Sequence, residues 1–443
     1  MISRLVPSFD PRFQPARRTA VAASARLAAA AAGATLIPPL HAQLSIDIIG
    51  VGAQQIPVAV TTFAGSEREA RQVSELIAAN LGRSGVIRVL SGEGLARGVE
   101  IGPSQWPLYA ARGAEAAVIG NVQALPDGRF QVGFRLLDVP KQAQSAGLVF
   151  TGGARELRAT AHHISDVIYE KLTGDRGVFS TRVAYVARSG GRYQLIVADS
   201  DGMNAVPVLS SAEPIISPAW SPRGNLLAYV SFEGRKPSIY VQDVTSGQRR
   251  LLVNAAGNQS APSFAPDGNR IVYASSQAGG TQLFVVGTDG NGTRRLTTST
   301  AIDTAPHWAV DNRIYFMSDR GGSPQIYRMS PEGGTVERMT FEGSYNANPR
   351  VAPDGKSMVF VRRDGGRDSL AMLDFQSRQV QGLTQGPVDE SPSFAPNGKM
   401  IVYASVHAGR GVLAAVSADG RVKQRLGTAG ADVREPAWGP FLR

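Results

Sequence analysis

The chain has 443 residues, with 46 Lys and Arg against 36 Asp and Glu, a formal charge of +10 and five histidines. It has no cysteine, which excludes disulfides, thiolate metal sites and cysteine nucleophiles. The length points to two or three domains, and no basic-aromatic patch of the nucleic-acid-binding kind occurs.

Residues 1–42 read as a secretory signal. Arg12, Arg17 and Arg18 precede the Ala-rich run "AVAASARLAAAAAGATLIPPL", which only Arg26 interrupts, and "LHA" then stands before Gln43. A basic segment, a short apolar segment and a small residue at the cut form such a signal rather than a membrane span. An ordinary secretory signal is the plainer reading, and the pair Arg17-Arg18 also fits a twin-arginine signal. Cleavage removes five Arg and one Asp and leaves a mild charge of +6. No later run of about 18 apolar residues suggests a span.

Residues 43–175 read as a small α/β domain. "SIDIIGV", "IPVAVTTF" and "VIRVL" are predicted strands. "SEREARQVSELIAANLG" is a predicted helix, with Ser66 and Glu69 as a capping box and Val73, Leu76, Ile77 and Leu81 on one face before Gly82 stops it. "SQWPLYAARGA" is a short helix. "AAVIGNVQAL", "FQVGFRLLDV" and "SAGLVFTGG" are strands that can pair as a meander. "ARELRATAHHISDVIYEKLTG" closes the domain as a helix with Leu157, Ala161, Ile164, Ile168 and Leu172 on its face and Gly174 as a C-terminal stop.

Residues 176–443 repeat themselves. "PAWSPRG" at Pro218, "PSFAPDG" at Pro262, "PHWAVDN" at Pro306, "PRVAPDG" at Pro349, "PSFAPNG" at Pro392 and "PAWGP" at Pro436 are spaced by 44, 44, 43, 43 and 44 residues. Between them lie short β-branched and aromatic runs such as "IVYASS" and "QLFVVGT", separated by Asp-Gly, Ser-Gly or Gly-Gly turns. Three to four short strands in a unit of about 44 residues make a propeller blade. The last copy lacks its later strands, and "RVAYVARSGGRYQLIVADSDG" (182–202) supplies later strands without a lead. The fragments complete one blade, so the chain is predicted to close a six-bladed β-propeller with its C-terminal strand, following the α/β domain.

Motifs of catalysis are missing. There is no G-x-S-x-G elbow, no Walker A loop and no H-E-x-x-H. "GEGLARG" (92–98) has the wrong spacing for a dinucleotide loop. His162 and His163 are adjacent on a helix and point about 100° apart, which does not suit one ion, so they read as a half-exposed pair. "DSDG" (199–202) and "GTDGNG" (287–292) look like calcium-loop fragments but lack a downstream Glu, and they read as hairpin turns. Trp220, Trp308 and Trp438 recur at the repeat position and read as blade core. These features argue for binding rather than catalysis, with no cofactor and no metal.

The chain resembles the TolB family of the Tol-Pal envelope system. The resemblance covers nearly all of residues 43–443 and is carried by "SDVIYEKLTGDRGVFSTRVAYV" (165–186) and by the Pro-x-[WF]-[SA]-Pro-[DN]-Gly copies. It implies a periplasmic, non-enzymatic adaptor that binds the lipoprotein Pal through the propeller and TolA through the mature N-terminus, supporting outer-membrane integrity and constriction at division. Pal contacts are implied in the loops before each repeat proline, at Asn258, Ser260, Ala261, Asp303, Thr304, Asn346, Asn348, Asp389, Glu390, Arg434 and Glu435. The family often has His where Asn258 stands and an acidic residue where Ala305 stands. TolA contacts are implied at Gln43, Leu44, Ser45, Ile46, Asp47, Ile48 and Ile49. That segment alternates apolar residues and ends in Gly50 and Gly52, so it can dock on its own protein or leave to add a strand to a partner; its simpler alternative is a permanent first strand of the α/β domain. The rival function is a propeller hydrolase or carbohydrate-binding module.

Overall fold

A computed structural model describes residues 44–50, 55–95, 97–428 and 431–442. The expected signal (1–42), Gln43 and Gly52 lie outside the described residues.

The α/β domain is a sheet with helices on both faces. Its strands are β2 (Ile56–Val60), β3 (Ala64–Gly65), β4 (Ile87–Ser91), β5 (Ala116–Ala124), β6 (Phe130–Asp138) and β7 (Ala143–Gly152), numbered after β1 (Leu44–Gly50). Sheet order is β4-β2-β5-β6-β7, with β2 parallel to β4 and β5, and β5 to β7 forming the expected meander. Helices α1 (Glu67–Arg83) and α3 (Leu157–Thr173) bury Val73, Ile77, Leu81, Leu157, Ile164 and Ile168 against one face. The short α2 (Trp106–Ala111) covers the other with Tyr109. Gly174 ends α3 at φ +80°, a conformation open to glycine, and its N–H bonds the Glu170 carbonyl. Two local expectations fail at α1. Ser66 is the N-cap residue but makes no side-chain cap, and the helix runs one residue past Gly82.

The six-bladed propeller and its closure are as predicted. Blade one joins β8 (Arg182–Ser189), β9 (Arg192–Asp199) and β10 (Val206–Ser211) to the last strand, Asp432–Trp438, which pairs β8 antiparallel. The inner strands are Ile215–Trp220, Gln259–Phe264, Asp303–Trp308, Asn346–Val351, Glu390–Phe394 and Asp432–Trp438, and they line the central channel. Apolar clusters fill the gaps between successive blades.

Each repeat proline sits inside an inner strand, where it can donate no ladder hydrogen bond. An edge strand tolerates this with a bulge. All six inner strands lose register at the proline. The residue before it takes φ between +49° and +54° in every blade: Ser217, Ala261, Ala305, Asn348, Ser391 and Glu435. Where the third copy reads "AVDN", Asn312 takes the left-handed turn position that Gly268 fills in the second.

Of the two expectations for "SIDIIG", that of a first strand of the α/β domain is corrected. The stretch does not join the α/β sheet. As β1 it pairs antiparallel with Lys423–Thr428 and becomes a fifth, outermost strand of blade six.

Candidate functional site

The loops before the repeat prolines lie at one end of the propeller, and the α/β domain sits at the other. Inner strand Glu390–Phe394 fixes the polarity. The turn that follows it carries Asn397, whose amide donates to the Arg176 carbonyl at 2.9 Å, and Lys399, which pairs with Asp175 at 3.0 Å. The loop before it, with Asp389, is at the far end of a strand about 17 Å long. The other blades repeat this direction.

On that far end the eleven candidate positions divide in two. Asn258 is exposed, with its N–H held by the Ser276 hydroxyl at 2.9 Å, and Ser260, Ala261, Asn348, Glu390, Arg434 and Glu435 are half-buried. Asp303, Thr304, Asn346 and Asp389 are buried. Asp303, Asn346 and Asp389 shape the loops rather than present themselves. Asp303 takes two bonds from Arg320, at 2.9 and 3.0 Å, and one from Ser299. Asn346 donates to Gln325 and to the Glu342 carbonyl. Asp389 accepts from the Ser405 hydroxyl at 2.6 Å and the Gly386 N–H at 3.0 Å. Gln259, absent from the sequence-derived set, does the same work by donating to the carbonyls of Ala255, Ala256 and Gly257. The recurring signal was available: a polar residue three places before the proline in four repeats.

Glu390 and Arg434 approach to 3.5 Å at the channel mouth, and Arg434 also reaches Asp432 at 3.5 Å. Glu435 lies deeper. Burial and the nearby Glu390 push its carboxyl up to about 7, against the Ser217 N–H, Arg350 and Arg434.

At the N-terminus, β1 sets Leu44 opposite Thr428, Ile46 opposite Leu426 and Ile48 opposite Gln424, with a register shift between Ile48 and Gly50. Of the seven candidate positions, Leu44, Ser45, Ile46, Asp47, Ile48 and Ile49 lie in this strand. The docking is antiparallel strand addition at a blade edge.

A buried polar cluster joins the two domains. Arg158 bonds Asp199 at 3.1 Å and also bonds Asp201, and Arg83 reaches Asp201 at 3.5 Å. His162 lies 3.9 and 3.8 Å from the same two carboxylates, while its Nδ1 meets the Asn80 amide at 3.1 Å. The expectation of a half-exposed histidine pair is corrected. His162 is buried, and His163 is exposed with its ring edge-on to Phe150. Burial and the two guanidinium groups hold His162 down at about 4 against the pull of Asp201 and Asp199. "DSDG" is a turn, as expected, with Gly202 N–H bonded to the Asp199 carbonyl at 2.8 Å. Its two carboxylates are neutralised by two arginines, so a divalent cation would have to displace them. Nothing in the sequence brings residues 83, 158, 162, 199 and 201 together.

Trp308 is buried, and Trp220 and Trp438 are half-buried. Trp220 donates to the Ala437 carbonyl at 3.0 Å and Trp438 to Thr181 at 2.8 Å, binding blade to blade and blade to linker. Among the described residues no helix is long and apolar enough to cross a membrane.

Residues 169–442, more than half of the chain, match the TolB beta propeller domain, and residues 44–145 match the TolB amino-terminal domain. A protein of Methylobacillus flagellatus named Tol-Pal system protein TolB is 55% identical over 195 residues, 43% of this chain and 45% of that protein. One of the same name from Bordetella avium is 45% identical over 228 residues, 51% of this chain and 52% of that protein. The chain thus spans about half the length of the curated relatives it matches. The crystal structure of TolB from Acinetobacter baumannii is 37% identical, with a TM-score of 0.84, over 90% of this chain and 100% of that one.

Proposed function

The chain belongs to the TolB family, and from that premise we propose that it is a non-catalytic periplasmic adaptor of the Tol-Pal system, binding Pal at the loop end of its propeller and TolA through residues 43–49. Residues 1–42 are its export signal, 43–175 its α/β domain and 176–443 its propeller. The role is to support outer-membrane integrity and constriction at cell division.

One observation carries this reading. Among the described residues β1 is an edge strand paired with blade six, outside the sheet of the domain to which it is tethered. A strand held by one ladder can detach as a unit and add to a partner at a similar edge. The loop end of the channel is supported separately, by the buried polar residues that fix its shape and by its distance from the α/β domain. Pal at that end then biases whether β1 stays docked, and linkage requires Pal and TolA to change each other's affinity by the same factor.

The test is calorimetric titration of the mature protein, and of a form lacking residues 43–54, with soluble Pal and the periplasmic part of TolA. Loss of TolA binding with Pal binding retained or tightened supports the proposal. Full TolA binding by the deleted form overturns it.

A further inference from the structure

The six residues that follow the inner-strand prolines are Ala219, Ser263, His307, Arg350, Ser393 and Ala437. They occupy one level of the channel wall. The Ser263 and Ser393 hydroxyls accept the backbone N–H of the next inner strand, from Trp308 at 3.1 Å and from Trp438 at 2.9 Å. Four of the six are Ala or Ser, and His307 and Arg350, on neighbouring strands, are the large side chains at this level.

Arg350 differs from three guanidinium groups near this end that are held in ion pairs. Arg320 lies on Asp303 at 2.9 Å, Arg363 on Asp368 at 2.7 Å and Arg434 on Glu390 at 3.5 Å. Arg350 donates from Nη1 to its neighbouring Pro349 carbonyl at 2.8 Å, and among the described residues no carboxylate lies within ion-pair distance of it. A guanidinium has five donors in a planar fork. A half-buried guanidinium with no ion pair of its own favours an incoming anion. Burial lowers the Arg350 proton affinity to about 10, and the charge of Glu435 opposes this. His307 is held down at about 3 by burial and by Arg350, so it is neutral beside the guanidinium, and it is hydrogen-bonded to the Val351 backbone. Glu390 and Asp432 at the mouth are already engaged by Arg434.

We propose that this level of the channel is a carboxylate-binding subsite, with the Arg350 fork taking both oxygens of the group and His307 flanking it. The planar fork matches a carboxylate in two parallel bonds, which a point charge such as lysine does not reproduce. Arg350 lies two residues inside Asn348, at the loop end proposed to dock Pal, and the subsite deepens that reading. The same chemistry is offered by an acidic side chain of a docked protein and by a free small carboxylate.

Malonate is the probe. The mature protein is titrated with sodium malonate in a calorimeter against sodium chloride of equal ionic strength, alongside Arg350→Gln and Arg350→Lys. The wild type should bind saturably, and both variants should bind about tenfold or more weakly. Thermal unfolding checks that each variant is folded, and Arg350→Lys preserves the charge if Arg350→Gln does not fold. In a second arm, soluble Pal is titrated with and without malonate. Malonate that weakens Pal binding to the wild type, and not to Arg350→Gln, assigns the carboxylate to the docked protein. Malonate that binds without affecting Pal assigns the subsite to a free carboxylate. If Pal fails to bind at all, the docking role falls while the malonate arm still decides the subsite. Equal malonate affinity in wild type and both variants, or no saturable binding by the wild type, overturns the proposal.

Discussion

Gln424 donates its side-chain amide to the main-chain carbonyl of Arg83, 341 residues away in sequence. Three parts of the molecule meet at this bond. Arg83 is the last residue of α1, Gln424 lies on the outer strand of blade six, and Ile48 of β1 is paired opposite Gln424. The Arg83 side chain extends from the same point into the buried cluster around Asp201. The strand that carries the docked N-terminus is therefore tied to the domain interface. Gln424→Ala should loosen β1 without unfolding the propeller. Loss of one hydrogen bond of about 1 kcal/mol corresponds to roughly fivefold faster amide exchange across 44–50. Hydrogen-exchange mass spectrometry measures this, and unchanged exchange would separate the contact from β1 docking.

Asp201→Ala should lower stability by about 3 kcal/mol, because it leaves Arg158 and Arg83 beside a vacated buried site. Asp201 is 5% exposed, so solvent screening offers little relief. Denaturant unfolding of the mature protein would show it, and a loss under about 1 kcal/mol would mean the arginines find other partners.

His162 imposes a pH dependence of definite sign. Its folded-state value of about 4 lies below the ordinary 6.5, so between these two the unfolded chain binds a proton that the folded chain refuses. Stability from this group is full above about 6.5 and falls on acidification, with a slope of up to ~1.4 kcal/mol per pH unit. His162→Gln should flatten the melting-temperature profile between pH 6.5 and 4. A profile as steep as wild type would assign the acid sensitivity elsewhere.

Glu435 acts in the opposite sense. Its value is raised to about 7, so its contribution is present below the ordinary carboxyl range and is lost as pH rises through 7. Glu435→Gln should remove that loss, leaving the variant relatively more stable at pH 8 than at pH 5 when each is compared with wild type. Thermal melts at the two pH values decide it.

Thr304→Ile and Asn258→Ala separate shape from contact on the loop end. Thr304 is 2% exposed, so the extra bulk should cost about 1–3 kcal/mol and weaken Pal indirectly. Asn258 is exposed, so its truncation should leave the melting temperature within about 0.5 kcal/mol-equivalent of wild type and act on Pal affinity alone. Paired melts and Pal titrations read both effects. A stable Thr304→Ile with full Pal affinity would remove that loop from the interface.

Removal of residues 434–443 should destabilise the propeller as a whole. The last strand pairs β8, and Gly439 N–H bonds the Arg182 carbonyl at 2.7 Å. A single cooperative melt shifted downward is expected. An unchanged midpoint would show that the ring does not need its closing strand.

The sequence by itself determined the propeller, its blade count and its closure. A spacing of 43 or 44 residues and a split sixth repeat leave few ways to bury the apolar strands. It also determined the helices of the α/β domain, since Val73, Ile77 and Leu81, and Ile164 and Ile168, recur at helical spacing and are buried. Tertiary structure decided what periodicity does not encode. "SIDIIG" has the alternation of a strand, but alternation specifies a strand and not its neighbour, and a free edge on blade six took it. His162, Asp199 and Asp201 lie on a helix and on a turn that each look ordinary alone. Their meeting depends on how the α/β domain sits on the propeller. Asp303, Asn346 and Asp389 look like loop residues offered to a partner, yet a turn that must bury its backbone carbonyls and N–H groups draws Asn346 and Asp389 inward to satisfy them, and Arg320 and Ser299 hold Asp303.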